Sequence, residues 1–488
     1  AEDVERRANA IGSDPLLAER SLVRIDSEPD RDPRDRGRYF PSDIVGKSGL
    51  EETLEDRLRG LRGLRIDRLD DDNPLVLEAE PGRDVTLTLD IMLQARIQAL
   101  LEPEVGLARV QPWHDNTEHV DATDPLSPLL MPPGTPMDAA AVVIDIESGD
   151  LLALVSTPTL ARDGSDLPAN AKLRQYELDL HRPYVNRAVS FPIPPGSIAK
   201  ALVLCSAHHA GVYDADERIS CTGHLYPGDP DALRCWIYKH FGVTHDMDLG
   251  HAPSAAEALK VSCNIFFYTL GKRLGPEGIA EAYRAFGVGE SLDLPLENVV
   301  RGWLGPYIPG SKGPNPDAIS EGDAIQMGIG QGIVAWTPVH AADSFATIAR
   351  GGVRIKPRLL ADDQPDVRDL GLDPVITEAA LHGLDLAVND PRGTAHSIRM
   401  SGSEERFDIF DVPGVKVWGK TGTATAPPLE IDGEVVRRGD HSWFVLLCGR
   451  DKPRYAIAVV VEYGGSGGRV SGPIANQIVN ALVAEGYL

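Results

Sequence analysis

Three short segments of this 488-residue chain carry residue types at spacings that suit acyl transfer. The first is Phe191–Cys205, FPIPPGSIAKALVLC. Pro194-Pro195-Gly196 stands before an apolar helical stretch, with Ser197 at its first turn and Lys200 three residues on. That spacing puts both side chains on one helical face. A serine hydroxyl needs a base to become a nucleophile, and a partly desolvated lysine can be that base. The positive end of a helix dipole would also lie where an oxyanion forms. Taken alone, the pair equally suits a serine helix cap and a solvated lysine.

The second segment, Val261-Ser262-Cys263-Asn264, lies further along the chain. Ser262 suits a proton relay between Lys200 and a leaving group, and Asn264 suits a substrate amide. Both also fit as ordinary polar helix residues. The third, Trp418-Gly419-Lys420-Thr421-Gly422-Thr423, reads as a strand near the C-terminus. Lys420 offers a cation for a substrate carboxylate, and Gly422 lets a substrate backbone come close. The Thr423 N–H suits a second oxyanion donor beside the Ser197 N–H. A plain strand-edge turn would read the same way.

Taken together and in this order, Ser-x-x-Lys, Ser-x-Asn and Lys-Thr-Gly resemble the signature set of penicillin-binding proteins and serine β-lactamases. Pro194 to Lys200 is similar to that family's PPGSxxK. Ser262 to Tyr268 (SCNIFFY) is similar to its second motif and following aromatic run, and Gly419 to Ala424 (GKTGTA) to its third. Gly328 to Pro338 and Ile348 to Gly352 resemble a helix and turn of the same domain. The resemblance covers about residues 138 to 488. It implies an α+β transpeptidase domain, an antiparallel sheet flanked by helices, over residues 136–488. Gly46 to Glu51, Arg57 to Gly63 and Thr86 to Gln94 resemble the pedestal module of class B enzymes, most closely those of cell elongation. That implies an N-terminal α+β pedestal over residues 1–135. One departure is that the usual arginine-rich segment after the anchor is hard to find in the first 40 residues.

The resemblance implies a D,D-transpeptidase acting on the D-Ala-D-Ala end of peptidoglycan stem peptides and acylated by β-lactam antibiotics. Ser197 would attack, Lys200 take its proton, and Ser262 help protonate the departing D-alanine. Lys420, Thr421 and Thr423 would hold the carboxylate. The alternatives are a D,D-carboxypeptidase or β-lactamase on the same scaffold, or a non-catalytic β-lactam sensor. No Glu-x-x-Leu-Asn of the class A β-lactamase kind lies between the second and third motifs. No cofactor is expected for catalysis. Some elongation-type relatives have metal ligands ending at the middle residue of the second motif. By that likeness Cys221, Cys235, His251 and Cys263 would make a structural zinc site, with His245 the runner-up to His251. A Cys221–Cys235 disulfide is the alternative.

Patterning predicts the elements that carry these segments. Leu50 to Leu61 reads as a charged helix, Asp84 to Asp90 as a half-buried strand, and Ile91 to Leu101 as a helix. Met131 to Pro136 reads as a linker. Ala139 to Ile146 and Leu151 to Ser156 read as a hairpin, and a mostly helical middle runs from Ser197 to Arg350. Val415 to Thr421, Ser442 to Cys448 and Tyr455 to Glu462 read as strands, before a last helix at Ile474 to Ala484. The start and end of this region are expected to share one antiparallel sheet.

Composition bounds the partners. With 73 acidic and 48 basic residues, the formal charge is -25. Nucleic acid demands a basic face, so it is excluded as a partner. No run reaches the ~18 apolar residues of a membrane span. The resemblance implies an N-terminal anchor outside this chain, a periplasmic location, and a membrane-embedded glycan polymerase as partner. The five cysteines are too few and too odd in number for a disulfide scaffold.

Overall fold

A computed structural model describes residues 44–60, 64–67, 75–114, 128–129, 131–159, 168–229, 231–306, 315–399 and 405–488. Arg31 to Arg38 reads as a polar, Pro- and Gly-containing loop; it and the rest of the first 40 residues lie outside the described residues. The chain divides into two compact units, residues 1–87 with 293–297, and residues 88–292 with 298–488. In the smaller unit, the helix expected over Leu50 to Leu61 is two short helices, Gly49–Thr53 and Glu55–Leu58. The backbone leaves helical geometry at Leu54 between them. Strands Leu64–Ile66 and Leu75–Leu77 form an antiparallel ladder. The Thr53 hydroxyl donates to the Pro295 carbonyl at 2.6 Å and the Gly49 N–H to Glu297 at 2.7 Å, so residues 293–297 complete this unit.

The larger unit is built on a five-stranded antiparallel sheet. Its strands are β1 (Ala139–Asp145), β2 (Leu151–Thr157), β3 (Lys416–Thr425), β4 (Asp440–Gly449) and β5 (Tyr455–Val461), in the order β3-β4-β5-β1-β2. Every residue of β1 and β5 is buried, which is why both read as unbroken apolar runs. Such runs mean that both faces of a sheet are covered. The helices that cover and frame it are α1 (Ile91–Leu101), α2 (Lys200–His209), α3 (Ala255–Lys260), α4 (Asn264–Ala285), α5 (Pro338–Ala349), α6 (Pro374–Asn389) and α7 (Ser471–Ala484). On one face Leu93, Ile97 and Leu101 of α1 join Ile474, Ile478 and Leu482 of α7 in the core with alternate residues of β1, β4 and β5. On the other, α5 packs across β1, β4 and β5 and meets α2, which packs in turn on α4.

The boundary between the units falls near residue 88, earlier than the residue 135 expected from the Pro- and Gly-containing linker. The reason is the exposed edge that β2 would otherwise present. The Thr88 hydroxyl donates to the Leu151 carbonyl at 2.8 Å and the Asp90 N–H to the Leu152 carbonyl at 3.0 Å. Gln94 then clamps Leu154, donating to its carbonyl and accepting its N–H, both at 2.8 Å. Asp84 to Asp90 is therefore not the strand that its alternation predicts. Asp90 instead caps α1, accepting the N–H groups of Met92 and Leu93.

Candidate active site and metal centre

Ser197 lies on a short 3₁₀ turn, Gly196–Ala199, that runs directly into α2. Gly196 has φ +58°, and a Cβ there would sit 2.6 Å from the Thr423 carbonyl oxygen. Only glycine lets this turn lie so close to β3. Gly330 supports the turn from the other side. Its carbonyl accepts the Gly196 N–H at 2.8 Å, and at φ +73° a Cβ on it would lie 2.2 Å from the Gly196 carbonyl oxygen. Trp443 of β4 donates its indole N–H to Pro194 at 3.0 Å. The Ser197 turn is thus wedged between strand β3 and the loop at Gly330. Ser197 itself is half-buried.

Lys200 is fully buried, and its ammonium donates to the Ser262 carbonyl at 2.9 Å, the Ser262 hydroxyl at 3.0 Å and Asn264 Oδ1 at 2.8 Å. These contacts use all three donors of the group. Burial pulls its pKa down to about 8, with the nearby thiols of Cys235 and Cys263 working the other way. Ser262 holds a left-handed backbone, φ 53°, between the end of α3 and the start of α4. A non-glycine residue there costs ~1–3 kcal/mol, a strain found at functional sites. It presents the Ser262 carbonyl and hydroxyl together to Lys200.

Lys420 on β3 is also fully buried, with its ammonium 3.1 Å from the Thr421 carbonyl. Burial holds its pKa well below that of an ordinary lysine, and the charge of Lys200 adds to this. Among the described residues, neither lysine makes a salt bridge to a carboxylate. When protonated, a lysine buried in this cleft without a carboxylate partner pulls strongly on an anion. Thr421 pairs with Phe444 and Thr423 with Ser442 across the ladder with β4. Gly422 is buried and Thr423 exposed. Of the motif residues expected at the site, Ser197 lies on the turn before α2, Lys200 opens α2, Ser262 lies on the turn into α4, Asn264 opens α4, and Lys420, Thr421, Gly422 and Thr423 lie on β3.

Sequence reasoning missed two further residues here. Gln331 donates to the Thr423 carbonyl at 3.1 Å. It sits in the Gly328 to Pro338 stretch, which was given no role at the site. Thr394 places its hydroxyl 3.4 Å from that of Thr421. Nothing in its local sequence marks it.

Behind Asn264 lies a second cluster. The side chains of Cys221, Cys235, His245 and Cys263 are all buried, with their candidate ligand atoms within 4.8 Å of one another. His245 Nδ1 is 3.3 Å from Cys235 Sγ and 3.5 Å from Cys221 Sγ. Its Nε2 is buried and has no hydrogen-bond partner among the described residues. The expected imidazole, His251, is not in the cluster. Gly250, at φ 81°, closes the short helix His245–Leu249 and turns the chain outward. His251 is then exposed, with Nε2 3.2 Å from Glu257. Chain distance from Cys263 favours His251, but the helix start brings His245 inward. Burial resists ionisation of Cys235, yet the thiols of Cys221 and Cys263 and the His245 imidazole overcome it and push its pKa down. Cys263 is pushed well up by burial and by the other two thiols. The five cysteines form no disulfide.

The family model described as penicillin binding protein transpeptidase domain matches residues 139–480, and that described as penicillin-binding protein dimerisation domain matches residues 21–87. The chain belongs to the penicillin-binding proteins. The second match ends at residue 87, where the smaller unit ends along the chain. A peptidoglycan D,D-transpeptidase MrdA from Acinetobacter baumannii is 26% identical over 487 residues, covering 90% of this chain but only 61% of the relative. Among solved structures, Pseudomonas aeruginosa PBP2 in complex with WCK 5153 is similar with TM-score 0.62 and 25% identity, over 91% of this chain and 86% of that one. A chain from a peptidoglycan synthase complex, described as coordinating polymerization and crosslinking, is similar with TM-score 0.63 and 26% identity, over 91% and 71%.

Proposed function

We propose that this penicillin-binding protein is a serine D,D-transpeptidase of the elongation type. The observation that carries the reading is the convergence of Ser262 and Asn264 on the buried Lys200, one turn from Ser197. Neutral Lys200 takes the Ser197 proton as Oγ attacks the carbonyl between the last two D-alanines. The N–H groups of Ser197 and Thr423 receive the oxyanion. Ser262 passes a proton to the departing D-alanine amine as the C–N bond breaks. Lys420, Thr421 and Thr423 hold the terminal carboxylate throughout. An amine of a neighbouring stem then attacks the ester and releases Ser197. β-Lactams would stop at the acyl stage. Benzylpenicillin should add one molecule's mass to the peptide containing Ser197, as read by intact mass and peptide mapping. Labelling that persists in Ser197→Ala would refute the assignment. Rapid loss of the adduct would favour the hydrolase alternatives, and a stable adduct without cross-linking of stem peptides would favour the sensor.

The likeness to a synthase complex and to MrdA supports a place in the elongation machinery, with a membrane glycan polymerase as partner. An anchor upstream would hold the domain on the periplasmic face. Among the described residues no helix is long and apolar enough to cross a membrane. A full-length gene with no upstream apolar segment of ~18 residues would count against the anchor.

The metal proposal is a closed structural zinc site held by Cys221, Cys235, His245 and Cys263. The support is the donor set itself. Three buried thiols and one imidazole, whose Nδ1 faces two of them, form a closed donor set of the kind that suits zinc. Four protein ligands leave no position for substrate, so zinc there would be structural. It would fix Cys263, which stands between the two residues that bond Lys200.

A further inference from the structure

We infer that Lys260 and Asp390 form a positioning pair that holds Thr394 against Thr421, and so sets how tightly the site grips the carboxylate end of its acyl donor. This rests on the acyl-transfer reading above and deepens it.

Lys260 is the last residue of α3 and is only 4% exposed. Its ammonium donates to Asp390 Oδ2 at 3.1 Å. Asp390 caps the C-terminus of α6, where the helix dipole disfavours a carboxylate. A Lys–Asp pair with its lysine buried and its aspartate partly exposed is also a poor way to add stability, since desolvating the ammonium offsets much of the attraction. Its geometry points elsewhere.

Asp390 organises a tight turn. Its other carboxylate oxygen accepts the Arg392 N–H at 2.8 Å, and its carbonyl accepts the Gly393 N–H at 2.7 Å. The turn delivers Thr394, whose N–H and hydroxyl both donate to the Lys260 carbonyl at 3.2 Å. Lys260 thus holds the loop at both ends, by its ammonium and by its carbonyl. Thr394, its own proton engaged, presents its oxygen 3.4 Å from the Thr421 hydroxyl. Thr421 is on the strand beside Lys420. Two residues beyond Lys260 stands Ser262, a partner of Lys200. The pair therefore ties the carboxylate-binding strand to the turn that cradles the base.

The test compares two acylated D-alanyl thioesters, one with a carboxylate on the leaving group and one with a carboxamide there. Lys260→Met should raise KM for the carboxylate substrate about tenfold with kcat little changed, and leave kcat/KM for the carboxamide within about twofold. Lys260→Arg should restore KM. Thr394→Val, which keeps the ion pair and removes only the hydroxyl, should reproduce the same discrimination, and it decides the matter if Lys260→Met does not fold. An equal loss on both substrates, or no loss on either, would overturn the inference. A wild-type protein that neither turns over a thioester nor is labelled by penicillin would instead sink the acyl-transfer reading.

Discussion

At the scale of single residues, the site is governed by how two lysines are buried. Lys200 has its pKa pulled down to about 8, chiefly by burial. Attack needs the neutral amine, so penicillin acylation should rise about tenfold per pH unit below 8 and level off above it. Stopped-flow acylation rates between pH 6 and 9.5 would check this, and a flat profile would remove Lys200 as the base. The same burial bears on stability. The unfolded lysine keeps its ordinary value of 10.5 and binds more protons than the folded one between pH 8 and 10.5. This group therefore adds stability as pH rises through that window. Lys200→Arg keeps the charge but cannot give up its proton, and should slow acylation by about 10²-fold or more.

At the scale of elements, two turns do the positioning. Gly330→Ala puts a Cβ against the Gly196 carbonyl at a backbone angle that disfavours alanine. We expect a loss of ~1–3 kcal/mol in unfolding free energy and a larger proportional fall in acylation, read by urea denaturation and penicillin labelling. The second turn carries Cys263. Cys235 Sγ accepts the Asn264 N–H at 3.3 Å, so the thiol–imidazole cluster and the Lys200 cradle share the start of α4. Protein purified without a His-tag should hold about one zinc per chain. Chelation should lower Tm and slow acylation with Ser197 intact. His251→Ala should retain the metal, whereas His245→Ala should weaken its binding. A Cys221–Cys235 disulfide in a metal-free protein would discard the site.

At the scale of the whole molecule, the larger unit depends on residues that precede the linker. Ile97 is fully buried among the side chains of the central sheet and α7. Ile97→Ala should cost about 2–5 kcal/mol, seen as loss of penicillin labelling at a lower temperature. If α1 belonged to the pedestal instead, labelling would survive heating as in the wild type. The charge of -25 acts over the whole surface. Self-repulsion at low ionic strength is screened by salt, so Tm should rise when sodium chloride is added.

The three motifs and most of the central sheet are readable in the sequence alone. Ser197, Lys200, Ser262, Asn264 and Lys420 stand out as candidates because the proposed acyl transfer needs those groups at short spacings within each motif. β1, β2, β4 and β5 are legible because strands covered on both faces carry long apolar runs, such as Ala139–Ile144 and Trp443–Cys448. Only the tertiary structure decided the rest, and in each case the deciding contact is distant in sequence. His245 replaces His251 because a helix start and a left-handed glycine set which imidazole faces inward, which chain spacing does not express. Residues 88–101 join the larger unit because β2 needs its edge covered, although Met131 to Pro136 is the stronger local break. Thr394 reaches β3 from a loop whose local sequence carries no motif, and Gln331 from a stretch that resembles the family's domain without marking a role at the site. Local patterns record what a residue can do, and long-range packing chooses which residues do it.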